Sequence, residues 1–382
     1  METRLTSRER ILRAVRCQPV DHIPLLLRFW WMGGAEDHIA FPWRDQAARA
    51  EHAASLGLDD TLLLEPPGGY CENYRPELVP GVTSRTMRMP VRPGEEVPRL
   101  VKIYETPAGT LQTAVLETQD WPHGEEIRLF DDYNLPRLKE ALVKSVDDLP
   151  ALRCLLGELS AEQLADFRAG ARALTNRAQE LAVAVDGGWS ALGDAAVWLL
   201  GMERILYGQR DEPELIEAML DVLQEWELRR MEQSIALGVD IWVHMAWYEG
   251  TDFWSPRAYR RFLKPRLAQL AARAHAHGKP FRYIITRGWK PLAADLAEIG
   301  IDCLTGADPV QDKITLAEAR EALGERVCIM GGINSAVMLT HWKTSEIRAA
   351  VCQAVETLGA KPGFILFPVD AVFNQQPWEK VE

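Results

Sequence analysis

Residues 281–305 read Phe281-Arg282-Tyr283-Ile284-Ile285-Thr286, then a helical stretch over Pro291–Gly300, then Ile301-Asp302-Cys303-Leu304-Thr305. A short apolar run, a helix and a second apolar run make a βαβ unit with parallel strands. The same rhythm places further strands at Ile23–Trp30, Thr61–Glu65, Leu181–Val185, Asp240–Ala246, Val327–Met330 and Phe364–Pro368. Eight strands alternating with helices predict an α/β fold, a (β/α)8 TIM barrel, whose chemistry sits on the loops after the strands.

Helical periodicity covers Ala161–Glu180, Gly193–Leu206, Glu212–Leu237, Pro256–His277, Pro291–Gly300, Leu316–Leu323 and Ser345–Leu358. Gly238, Gly278, Gly300, Gly324 and Gly359 follow the last periodic residues, where a left-handed C-cap favours glycine. Ser7 is expected to cap an N-terminal helix. Residues 66–148 break the rhythm and are read as an insertion on the barrel rim. Within it, Thr106-Pro107-Ala108-Gly109-Thr110 is a turn between strands Val101–Glu105 and Leu111–Glu117, a hairpin that could serve as a lid. Residues 1–382 are read as one domain, with 66–148 as its insertion.

The 382 residues suit one barrel with insertions. A net charge of −12, from 43 basic and 55 acidic residues, argues against nucleic acid or an anionic membrane as partner. No apolar stretch approaches the roughly 18 residues of a membrane span, and the first residues lack a signal-peptide core, so a cytoplasmic protein is expected. Cys17, Cys71, Cys154, Cys303, Cys328 and Cys352 form no Cys-x-x-Cys pair, which excludes a zinc ribbon.

The residues after the strands form a polar and aromatic set. The first run ends at Arg28, Trp30 and Trp31 and the second at Glu65. Trp189 follows the third, and the fourth carries His244 and leads into Trp247, Glu249 and Asp252. Tyr283, Arg287 and Trp289 belong to the fifth, Asn334 to the seventh and Asp370 to the eighth. Alternation puts Asp240, Trp242 and His244 on one strand face, read as the inward one. His275 and His277, two apart on a helix, cannot share a metal. Gly331-Gly332 is read as a tight turn. Six of the 13 tryptophans near strand ends (Trp30, Trp31, Trp189, Trp247, Trp254 and Trp289) point to a pocket for a flat ligand.

The segments Thr6-Ser7-Arg8-Glu9-Arg10, Pro19-Val20-Asp21-His22-Ile23-Pro24, Phe253-Trp254-Ser255-Pro256-Arg257, His275-x-His277-Gly278 and Gly300-Ile301-Asp302 resemble, in order and spacing, the uroporphyrinogen decarboxylase superfamily, which includes corrinoid-dependent methyltransferases. The resemblance implies a deep-mouthed (β/α)8 barrel. The Arg-x-x-x-Arg of the decarboxylases is replaced by Arg28-Phe29-Trp30-Trp31-Met32, and their aspartate after strand two corresponds to Glu65. The His-x-Cys and Cys ligands of the zinc methyltransferases are replaced by Ile284-Ile285-Thr286 and Asp370.

The resemblance therefore implies a methyltransferase acting between a small methyl ether or methylamine-type donor and a corrinoid (cobalamin) held by a partner protein, as in O-demethylation. His244, Glu249 and Tyr283 are the expected catalytic groups. Arg28, Trp31, Glu65, Trp247, Arg287, Asn334 and Asp370 are expected to bind substrate. Zinc, if held at all, would use His244, Glu249 and Asp370 rather than the family's Cys/His motif. The expected partners are a small-molecule substrate, a corrinoid-binding protein and, in a homodimer, a second copy of the chain. A decarboxylase of an aromatic or pyrrolic acid, and a non-catalytic binding barrel, stay open as alternatives.

Overall fold

The computed structural model describes residues 4–30, 43–70, 74–94, 96–131, 135–190, 192–285, 287–369, 371–373 and 376–381, with side chains excepted at 30, 189, 190 and 378. The strands are β1 (Phe29–Trp30), β2 (Thr61–Leu64), β3 (Thr83–Met89), β4 (Arg99–Thr106), β5 (Gly109–Leu116), β6 (Leu138–Glu140), β7 (Ala184–Ser190), β8 (Ile241–Met245), β9 (Phe281–Ile284), β10 (Cys303–Ala307), β11 (Cys328–Asn334), β12 (Phe364–Val369) and β13 (Val372–Phe373). The helices are α1 (Ser7–Val15), α2 (Gln46–Ser55), α3 (Leu149–Leu155), α4 (Ala161–Leu181), α5 (Gly193–Leu200), α6 (Met202–Asp211), α7 (Pro213–Ile235), α8 (Pro256–Ala258), α9 (Lys264–Ala276), α10 (Ala293–Ile299), α11 (Leu316–Leu323) and α12 (Thr344–Leu358). None of the described helices is long and apolar enough to cross a membrane.

Seven parallel strands run in the order β12-β11-β10-β9-β8-β7-β2. The first predicted run, Ile23–Trp30, closes the ring. Leu25 bridges Leu366 on β12, and Leu26 bridges Asp59 just before β2, both in parallel. Each of the eight predicted runs therefore takes its place in the barrel wall. Above Leu26, however, the first strand leaves β2, and β1 pairs with β13 instead. The Gln46 side-chain amide takes over on β2: it donates to the Leu63 carbonyl at 3.0 Å and accepts from the Leu63 N–H at 2.7 Å. A side chain that mimics a strand satisfies the exposed ladder groups and leaves the wall open.

The insertion carries the hairpin read from its sequence, β4 and β5, extended by β3 and β6 into a four-stranded antiparallel sheet. The sheet packs on α3, and among the described residues no side chain of 83–148 lines the central cavity. Two local readings are corrected. Thr6, not Ser7, caps α1, in a reciprocal box with Glu9. Gly331-Gly332 lies inside β11 rather than in a turn, and a Cβ at Gly331 would sit 2.8 Å from the Ala307 carbonyl of β10. Gly238, Gly278, Gly300 and Gly324 do take positive φ after their helices, whereas Gly359 has φ −80°.

Barrel closure rests on one buried guanidinium. Arg10 of α1 donates to Asp21 at 2.7 Å, to Asp59 at 2.6 Å and to the Leu5 carbonyl at 2.7 Å, tying α1 to the junction of the first strand and β2. Asp59 is almost fully buried. Arg10→Ala would leave that carboxylate uncompensated, a loss of roughly 3–5 kcal/mol. Urea unfolding should show a lowered midpoint for Arg10→Ala and a much smaller change for Arg8→Ala, whose side chain is half exposed beside Asp240.

Candidate active site

Two polar systems occupy opposite faces of the same strands. Val243 pairs with Arg282 in the β8–β9 register and His244 with Tyr283. Arg282 and Ile284 line the cavity, so Tyr283 and its neighbour His244 face the helix layer. The expectation that His244 points inward is thus reversed.

On the outer face His244 is clamped between two carboxylates. Its Nδ1 meets Glu227 of α7 at 2.9 Å and its Nε2 meets Glu249 at 3.1 Å, with all three groups buried. The Tyr283 hydroxyl donates to Glu249 at 2.6 Å, and the ring stacks on His244 at 5.6 Å. Glu249 also accepts the Leu192 and Gly193 N–H groups at the start of α5. Gly193 has no side chain because a Cβ there would fall 2.6 Å from Glu249 Cγ. In return Asp194 accepts the Trp247 and Tyr248 N–H groups at 3.0 and 2.6 Å. The loops after β7 and β8 therefore cap each other.

Burial alone would lower the His244 pKa, but Glu227 and Glu249 outweigh it and push the imidazole up to about 10. Burial alone would raise Glu249, but His244, Tyr283 and the Gly193 N–H hold it below the ordinary carboxylate range. Burial raises Tyr283, and the Glu249 charge adds to that, so it remains a neutral donor. His244, Glu249 and Tyr283 do meet, as expected, but as a fixed ionic clamp outside the cavity. Glu249 has its oxygens engaged and is not among the residues that line the cavity.

The inner face lines a cavity of about 260 Å³. Of the expected substrate-binding residues, Arg28, Glu65 and Trp247 line it. Arg287 instead pairs with Asp252 at the surface, 3.2 Å away. Asn334 is buried, donates to Asp308 at 2.6 Å and caps the turn after β11. Trp31 and Asp370 lie outside the described residues. Trp254 and Trp289 are core rather than rim.

Sequence reading missed the deep part of the cavity. There Arg282 pairs with Asp186 of β7 at 2.9 Å, and Thr61 donates to the same carboxylate at 3.1 Å. Arg49 of α2 holds Asp60 through contacts of 2.8 and 3.1 Å. Burial pushes the Asp60 carboxyl up, against the pull of Arg49. Thr305 of β10 and Met330 of β11 complete this end, and Leu26, Leu63, Ile284, Phe367 and Val369 supply apolar wall. The available signal was Arg282 itself, a cation inside a strand between Phe281 and Tyr283, which requires a buried partner.

The residues present do not fit a thiolate zinc site. Ile284 contributes only hydrocarbon to the lining, and Thr286 and Asp370 lie outside the described residues. Among the described residues no group of three His, Cys, Asp or Glu side chains is arranged to hold a metal ion.

The clamp has a pH signature. An unfolded histidine titrates near 6.5, so the His244 contribution is complete below about pH 6.5 and is lost as pH rises through about 10. Stability should fall steadily from pH 7 to 10. The His244 ring should keep the NMR shifts of an imidazolium at pH 8.5, and neutral-ring shifts at that pH would contradict the clamp.

The family model of uroporphyrinogen decarboxylase (URO-D) matches residues 122–382. The chain is 28% identical over 159 residues to the uroporphyrinogen decarboxylase of Thioalkalivibrio sulfidiphilus (strain HL-EbGR7), covering 41% of this chain and 43% of that one. It is 24% identical over 181 residues to the methylcobamide:CoM methyltransferase MtaA of Methanosarcina barkeri (strain Fusaro / DSM 804), covering 46% of this chain and 50% of the relative. The matched segments thus span half or less of these curated relatives. Among solved structures, a methyltransferase from Methanosarcina mazei superposes with a TM-score of 0.62 at 18% identity, over 99% of this chain and 96% of that one, which shows a shared fold. With about two thirds of its length matched to the family model and the barrel in place, the chain belongs to the uroporphyrinogen decarboxylase (URO-D) family.

Proposed function

We propose that the protein is a methyltransferase that takes a methyl group from a small methyl donor, an aromatic methyl ether or a methylamine-type compound, for transfer to a corrinoid on a separate protein. The observation that carries this reading is the charge balance of the cavity. Among the described residues, three guanidiniums, Arg28, Arg49 and Arg282, share the lining with three carboxyl groups, Asp60, Glu65 and Asp186. Arg49 with Asp60 and Arg282 with Asp186 are in direct contact. A lining with no surplus of cations gives little compensation for burying a substrate carboxylate. Its volume, about 260 Å³, lies just below the roughly 300–1,000 Å³ of drug-sized ligand sites and suits one ring rather than four. Both features weigh against decarboxylation of a polycarboxylate tetrapyrrole.

A reduced corrinoid presented at the mouth would supply the nucleophile that accepts the methyl group. The chain's own residues deal with the leaving heteroatom. In an ether the C–O bond breaks, its electron pair stays on oxygen, and a proton is taken up there. Arg28, at the mouth side of the cavity, donates hydrogen bonds to that oxygen as charge develops, and Glu65 in the same lining relays to it a proton taken up from solvent. Trp247 covers the ring and excludes water. Glu249, first expected as the acid, lacks access to any bound donor.

Arg28→Ala should lower kcat by about 10²–10³ with KM nearly unchanged, since the oxygen carries charge only in the transition state. A raised KM at constant kcat would refute that role. The functional test sets demethylation of aryl methyl ethers and methylamines, with Co(I) corrinoid, beside CO₂ release from the matching aromatic acids. Release of CO₂ without corrinoid, and no methyl transfer from any of these donors, would overturn the reading in favour of a decarboxylase.

A further inference from the structure

The Arg282–Asp186 pair is incomplete. One guanidinium nitrogen, Nη1, meets Oδ2 at 2.9 Å, and Oδ2 also accepts from Thr61. The guanidinium Nε and the carboxylate Oδ1 have no hydrogen-bond partner among the described residues, nor has the Thr305 hydroxyl. The three residues are 7%, 3% and 4% exposed, and all line the cavity. Buried polar groups are nearly always satisfied, so three unpartnered atoms on residues that line one cavity need an explanation.

We propose that Arg282, Asp186 and Thr305 form a recognition subsite for the hydroxyl group of a neutral, one-ring ligand. The three atoms define the class of group they accept. Nε–H can only donate, a carboxylate oxygen can only accept, and the Thr305 hydroxyl can do either. A ligand hydroxyl accepts from Nε–H or Thr305 and donates its own proton to Asp186. A carboxylate would set its charge against Asp186, an ammonium would face Arg282, and an ether or hydrocarbon would leave the Asp186 oxygen without a donor. The neighbouring Leu63, Ile284, Met330 and Phe367 suit the rest of a ring.

The subsite lies among the strands themselves, whereas Glu65 and Trp247 follow their strand ends at the mouth. A hydroxyl anchored at depth would therefore turn the opposite edge of the ring towards the mouth. The substrate class becomes a hydroxylated aromatic methyl donor. This rests on the cavity being the substrate site proposed above, but the binding itself requires no methyl transfer.

The test is binding of phenol, toluene and benzoate to the full chain, by calorimetry or ligand-observed NMR, with neither corrinoid nor methyl donor present. Phenol should bind about tenfold more tightly than toluene, and benzoate more weakly than phenol. Thr305→Val, which deletes one hydroxyl at nearly constant shape, should weaken phenol about fivefold and leave toluene unchanged. Asp186→Asn removes the charge that balances Arg282, so benzoate should overtake phenol in that variant. Equal binding of phenol and toluene, as expected if ordered water alone satisfies these atoms, would overturn the proposal. So would preference of the unaltered protein for benzoate. If Asp186→Asn does not fold, the probe series on the unaltered protein and on Thr305→Val decides the matter. An enzyme without methyl-transfer activity could still show these ratios, so the two readings fail separately.

Discussion

Every central strand of this barrel is buried on both faces, and that constraint decides where each polar residue can be. All residues of β8, β9, β10, β11 and β12 are buried. A charge on either face is tolerable only if a partner waits on that side. Helix α7 supplies Glu227 outside, so His244 and Tyr283 are stable there. Strand β7 supplies Asp186 inside, so Arg282 is stable there. Two polar networks thus stand one residue apart in sequence and on opposite sides of the wall. Only the inner one meets the cavity.

The cavity itself follows from a local failure of pairing. A parallel barrel normally fills its interior with side chains. Here the first strand pairs with β2 only at its base and then turns towards β13, while Gln46 satisfies the freed β2 backbone. The gap admits Arg49, and its partner Asp60 becomes part of the lining. Without the Gln46 amide, the Leu63 N–H would be left unpaired in a largely apolar setting, and its carbonyl would keep only the Tyr70 hydroxyl at 3.3 Å. The opening is therefore built into the sequence of α2 as much as into the strands.

The strand order was legible because period and punctuation are local properties. Apolar runs such as Phe364–Pro368 and helices such as Leu316–Leu323 stand where the pattern places them. Arg28, Glu65 and Trp247 were legible at the mouth for a related reason: barrel loops after strands face one end. Which face of β8 and β9 turns inward was not legible. Polar-inward is a sound rule only when the outer face meets hydrocarbon, and the rule failed because Glu227, 17 residues earlier, faces His244 from α7. The deep ion pair was hidden for the same kind of reason. Asp186 and Arg282 lie 96 positions apart and meet only once the strands have curled.

The outer clamp is not isolated from the inner site. His244 and Tyr283 fix Glu249, Glu249 fixes the first N–H groups of α5, and α5 presents Asp194 to the Trp247 and Tyr248 backbone. Burial raises the Asp194 carboxyl and the nearby Glu249 charge raises it further, against the two N–H groups it accepts. The electrostatic state of one network is therefore felt at the residue that orients the other. Trp247 lines the cavity at the end of this chain of contacts. A histidine outside the cavity lining can thus set the shape of the mouth, because Trp247 lies three residues after it, just beyond the end of β8, on a loop held by groups the imidazolium organises.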